Sequence, residues 1–172
     1  MGQFERRAFG VKNPQPNSRM CFACGVENPA GLHLRFYDDG LDEVTADFTI
    51  ADHHQGYPGI AQGGIVAAIL DELGGRTMMI GDPMRLFMTM KLEIKYRQPV
   101  PTGQPLRGVG KLLQLKSKRA TARAEIRNSA EEVLLLSKSM AEAELLLSDV
   151  PPGVYNFSDT DRLGWRVYDT ES

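Results

Sequence analysis

Asp71 and Glu72 stand side by side in an otherwise apolar run, and Gln62, Gly63 and Gly64 stand where that run begins. A carboxylate among apolar neighbours is costly to bury unless it is paired or used. Glu72 has a local partner, because Arg76 follows four residues later. On a helix that spacing suits an ion pair. Asp71 has no such partner: its neighbours one turn away are Ala67 and Gly75, and its face carries Gly64, Ala67 and Ala68. Small residues leave room for something to approach. The plain alternative is that Asp71 meets a basic or hydroxyl group from elsewhere in the fold.

The start of the run points the same way. The first N–H groups of a helix lack intrahelical partners, and Ser, Thr, Asp or Asn usually caps them. Gln62-Gly63-Gly64 offers none of these. Free N–H groups at the positive end of a helix suit an anion or a polarised carbonyl oxygen, and glycine permits close approach. The glycines could equally serve tight packing against a strand. An oxyanion site together with a carboxylate base is a minimal set for hydrolysing an activated acyl group. Asp71 lies seven residues beyond Gly64, or ~10 Å along a helix axis. That is too far for both to act on one small group within one subunit. Two antiparallel helices across a dimer would bring one subunit's glycines beside the other's aspartate.

These residues need a scaffold. From Gln62 to about Ile80, Ile65, Val66, Ile69, Leu70 and Leu73 recur at helical spacing, with Ala67 and Ala68 between them. So wide an apolar surface predicts a helix covered on most sides, ended by Gly81 and Pro83. Before it, Leu34, Phe36, Val44, Ala46, Phe48 and Ile50 alternate with polar neighbours around a turn at Asp39-Gly40, as in a half-buried strand pair. After it come a long strand ending near Pro99 and two strands meeting at a basic turn around Lys118. A final stretch from Val133, preceded by a turn at Ser129-Ala130-Glu131, suits either helix or strand, with the short connection favouring a hairpin. The expectation is an α+β fold, a curved antiparallel sheet wrapped around one long central helix. Exposed sheet edges would favour a homodimer or a dimer of dimers. Residues 1–20 read as an irregular arm, 21–147 as the domain and 148–172 as a tail whose aromatics, Trp165 among them, suggest docking.

The stretch "GYPGIAQGGIVAAILDE" resembles the motif of hotdog-fold acyl-CoA thioesterases of the PaaI-like family, which has the form G-x-x-H-G-G, then six residues of any type, then Asp or Glu. "CFACGVENPAGLHLRF" is similar to the N-terminal signature of one subgroup, and "MKLEIKYRQPVPTGQPL" to the strand after the helix. The resemblance covers roughly Cys21 to Leu146. It implies a hotdog fold and hydrolysis of an acyl-CoA to acid and free CoA, CoA being part of the substrate with no separate cofactor. It implies Asp71 as general base or nucleophile, Gly63 as the N–H that polarises the thioester carbonyl, and Thr89 as a hydroxyl that helps hold water. Gln62 replaces the family's usual His. Its amide can still donate to the substrate, but it cannot titrate near neutrality. A non-catalytic acyl-CoA-binding protein is therefore the rival reading, and a hotdog hydratase, which would want a His beside the Asp, ranks third.

Other residues carry plainer alternatives. His54, next to His53, is either a solvated turn residue or a contact at the substrate rim. Lys116, Lys118 and Arg119 form either an ordinary charged turn or a contact for CoA phosphates. Cys21 and Cys24 are two ligands where a structural zinc site takes four, so packed thiols are expected and no metal. The 172 residues suit one domain, and a net charge of −2 gives no global pull toward nucleic acid or an anionic membrane. The first residues lack the apolar run of a signal peptide, and no apolar run is long enough to span a membrane. With only two cysteines, a reducing cytoplasm is the expected location.

Overall fold

The computed structural model describes residues 12–117 and 119–142, with 136–142 as backbone only. Short strands β1 (Asn13–Pro14) and β2 (Tyr37–Asp38) precede β3 (Glu43–Thr49). A 3-10 turn, Asp52–His54, leads into a small hairpin of β4 (Gln55–Tyr57) and β5 (Ile60–Ala61). Helix α1 spans Gly63–Thr77. Strands β6 (Met88–Tyr96), β7 (Pro105–Leu115), β8 (Arg119–Asn128) and β9 (Val133–Glu142) follow. Seven strands form one sheet in the order β1-β2-β3-β7-β8-β9-β6, every pair antiparallel. The sheet curves over α1, which touches β3, β6, β7, β8 and β9.

Small residues make that wrap possible. On the helix side of β7 stand Gly108 and Gly110; a Cβ on Gly108 would lie 2.5 Å from Leu73 Cδ1, and one on Gly110 2.5 Å from the Leu73 carbonyl oxygen. Ala120, Ala122 and Ala124 continue the same buried floor along β8. Into it α1 presses Val66, Ile69, Leu70 and Leu73, each 1% exposed or less. Burying each such side chain contributes about 1.5–3 kcal/mol. The half of the helix bearing Gly64, Ala67, Ala68 and Asp71 is only partly covered.

The final stretch is a strand as far as Glu142, and Glu131 turns the β8–β9 hairpin with φ +60°. Residues 143–172, Trp165 included, lie outside the described residues. The arm differs from expectation. From Asn13 it belongs to the sheet, and Gln15 and Asn17 are buried. Gln15 Nε2 donates to Asp38 Oδ2 at 2.9 Å and to the Arg76 carbonyl at 3.2 Å. A polar composition hid this, because the arm is held by hydrogen bonds and not by an apolar face.

Candidate active site

Asp71 projects from the middle of α1, and the hydroxyl of Thr89, near the start of β6, donates to its Oδ1 at 2.6 Å. Thr89 reaches the helix because of a register shift. The β6–β9 pairing slips between Thr89 and Lys91, and such a bulge changes which face later residues occupy. Ile94 packs against the core and the Tyr96 hydroxyl donates to the Gly63 carbonyl at 2.8 Å. Strict alternation would set Thr89 on the opposite face from these two; the bulge places all three toward α1. Strand β6 thus contacts the helix both at Asp71 and at its first residue.

The helix start differs from the expectation of an uncapped terminus. Gln62 is the cap: its Oε1 accepts from Gly64 N at 2.5 Å and from Ile65 N at 3.1 Å. The longer side chain does what Asp or Asn does one methylene shorter. Gly64 N–H is therefore taken, which corrects its assignment as a free substrate donor. Gly63 N–H keeps no hydrogen-bond partner among the described residues, and neither does Gln62 Nε2. Because both cap donors require the oxygen, the amide nitrogen is left to donate elsewhere. Gly64 is constrained too, since a Cβ there would sit 2.9 Å from Gln62 Oε1.

His54 lies at the same end of α1, its carbonyl accepting from Gln62 N at 2.9 Å. Its ring stands 4.1 Å from that of His53 and edge-on to Phe22 at 6.4 Å. Burial, with the neighbouring His53 charge, holds the His54 imidazole below the ordinary histidine range. It borders a cavity of about 250 Å³ lined by Leu32, Phe48, Ile50 and Ile69 among others.

Lys116 and Arg119 flank the β7–β8 turn, where Lys116 N donates to the Arg119 carbonyl at 2.8 Å; Lys118 lies outside the described residues. This turn sits beyond the C-terminal end of α1, where Met78 clusters with Ala120, Ala122 and Leu112. Within one chain it is therefore not brought to Gly63. Glu72 has its expected partner, Arg76 Nε donating to Oε1 at 2.9 Å. Arg76 is 1% exposed, bonds the Pro16 carbonyl at 2.6 Å and lies 4.6 Å over the Phe36 ring. Cys21, Cys24 and Glu72 place their ligand-type atoms within 4.8 Å of one another, three groups where a structural zinc site takes four. Tyr96 and this cysteine–glutamate cluster were not legible in the sequence, since nothing at position 96 or 21 signals a helix contact.

The sequence pattern of the thioesterase superfamily matches residues 58–135, the segment that carries Gln62, Gly63, Asp71 and Thr89. Over this segment the chain is similar to the thioesterase superfamily, and its curved antiparallel sheet around one helix is the hotdog fold of that superfamily's solved structures. A crystal structure of a thioesterase superfamily protein is similar with 27% identity and a TM-score of 0.65, over 72% of this chain and 63% of that one. The E. coli PaaI protein from the phenylacetic acid degradation operon shares the fold with a TM-score of 0.58 and 13% identity, over 66% of this chain and 80% of that one. In sequence, the acyl-coenzyme A thioesterase THEM4 of Rattus norvegicus is 25% identical over 124 residues, covering 72% of this chain and 53% of the relative. The chain thus spans about half the length of that curated relative. Among the described residues, no helix is long and apolar enough to cross a membrane.

Proposed function

We propose that this protein hydrolyses an acyl-CoA thioester to a carboxylic acid and free CoA, in a site assembled from two subunits. The observation that carries the reading is the 2.6 Å bond between Thr89 and Asp71 on the half-open face of α1. A hydroxyl that donates to a carboxylate has its lone pairs left for the next donor. A water can therefore donate one hydrogen bond to Thr89 Oγ1 and another to Asp71, which takes that second proton as base while the first stays on the attacking oxygen. The water oxygen attacks the thioester carbonyl carbon, and the developing oxyanion takes Gly63 N–H, with Gln62 Nε2 as a second donor. Collapse expels the CoA thiolate, a good leaving group that needs little acid assistance. The likeness to a curated acyl-CoA thioesterase supports the substrate class.

The sheet edges support the dimer. One edge is β1, two residues long and containing Pro14, which is a protected edge. The other is β6, nine residues long and, among the described residues, paired only with β9. It exposes Met88, Met90 and Tyr96 by more than half. A second copy pairing β6 to β6 would cover that edge and lay the two helices antiparallel. It would set Gly63 of one subunit toward Asp71 of the other, and it leaves Lys116, Lys118 and Arg119 as candidates for CoA phosphates.

The rival reading, acyl-CoA binding without turnover, is favoured by one observation: Gln62 spends its oxygen on the helix cap and cannot move a proton. CoA release followed with a thiol reagent across short, long and aromatic acyl-CoAs separates the two. Catalytic release from at least one substrate supports hydrolysis; saturable binding with no release supports the rival.

A further inference from the structure

The cluster behind the helix has a chemistry of its own. Cys21 opens a tight turn: its N–H takes Ser18 Oγ at 3.0 Å and its carbonyl accepts from Gly25 N at 2.8 Å. Gly25 is required there, since a Cβ would fall 2.3 Å from the Cys21 oxygen. The turn brings the two sulfurs together with Glu72 within 4.8 Å, with Cys21 Sγ 4.0 Å from Glu72 Oε2. Both cysteines are free, Cys21 partly exposed and Cys24 buried. A partly exposed cysteine backed by a buried one three residues on is the arrangement of an attacking and a resolving cysteine.

We propose that Cys21 and Cys24 form a redox-active dithiol that closes to a disulfide by exchange with a small-molecule disulfide. Cys21 thiolate attacks one sulfur of the reagent, forming a mixed disulfide and releasing one thiolate. Cys24 gives its proton to that thiolate and attacks the Cys21 sulfur, closing the Cys21–Cys24 bond and releasing the second thiolate, which takes a proton from water. The protein loses two electrons and the reagent gains them as two thiols. The environment suits these roles. The Cys24 thiol donates to Cys21, and with the Cys24 and Ala23 N–H groups holds its pKa down at about 6 against burial and the Glu72 charge. The same bond, with burial, pushes Cys24 up. Arg76, bonded to the far oxygen of Glu72, sets positive charge behind the carboxylate and disfavours a metal cation there.

The test is incubation of the reduced protein with hydroxyethyl disulfide, a small uncharged reagent, followed by intact-mass measurement. The native protein should lose two hydrogens' mass without a lasting adduct, reversibly with dithiothreitol. C24S should hold one reagent moiety at Cys21, and C21S should react ~100-fold more slowly, as a buried protonated thiol does. The native rate should fall as pH drops below about 6. Thiols that stay reduced in the folded protein but react in urea would overturn the proposal. So would equal reactivity of C21S and C24S, or stoichiometric Zn²⁺ retained by the reduced protein that blocks exchange.

Discussion

The residues at the helix start divide their work by atom. Gln62 Oε1 holds the N–H groups of Gly64 and Ile65, and Gly63 N–H is left over. That makes Gly63→Pro an unusually clean change. Proline is favoured at the first helical position, and it wants an extended residue before it; Gln62 already has φ −66° and ψ 134°. The nearest atoms to a Cβ at Gly63 belong to the Tyr96 ring and hydroxyl, none closer than 3.5 Å. The variant should fold normally and lose kcat by ~10²- to 10³-fold, the cost of one oxyanion donor, read by steady-state CoA release. Asp71→Asn should lower kcat by ~100-fold or more, as a lost base does. Glu72→Gln should behave oppositely. It leaves the buried Arg76 guanidinium without its carboxylate, so stability should fall by ~1–3 kcal/mol in urea unfolding, while turnover per folded molecule changes little.

At the scale of elements, the fit between α1 and the sheet depends on Gly108 and Gly110. Gly110→Ala places a methyl 2.5 Å from the Leu73 carbonyl and 3.0 Å from Thr77 Cγ2. The helix or the strand must shift, so the urea midpoint should drop by an amount equivalent to ~1–3 kcal/mol with an unchanged m-value. Much of this architecture was legible. The helical spacing of Val66, Ile69, Leu70 and Leu73 names the residues that are buried, and the Asp39-Gly40 and Ser129–Glu131 turns bound real strands. What stayed hidden depends on register or on long-range polar contacts. The bulge after Thr89 leaves no mark in the hydrophobic pattern, so nothing in the alternation of β6 aims Thr89 at Asp71. Gln is an uncommon cap, so its role at the helix start was missed. The Gln15 and Arg76 contacts that anchor the arm join residues about sixty positions apart, a separation periodicity does not report.

At the scale of the molecule, one protomer has a base at Asp71 and a donor at Gly63 eight residues apart on one helix, ~12 Å along its axis, and a long open edge at β6. A two-fold pairing resolves both features, and sedimentation should show a dimer or larger at micromolar concentration. The shared site is tested most directly by mixing subunits. Homodimers of Gly63→Pro and of Asp71→Asn should each be nearly inactive. Unfolding them together and refolding at equal amounts would form mixed dimers in which one site carries both defects and the other carries neither. CoA release should then recover to about a quarter of the native rate, because half of randomly paired dimers are mixed and half of their sites are intact. Recovery no greater than the sum of the two parent variants, with mixed dimers demonstrated by mass, would contradict a site built from Gly63 of one subunit and Asp71 of the other.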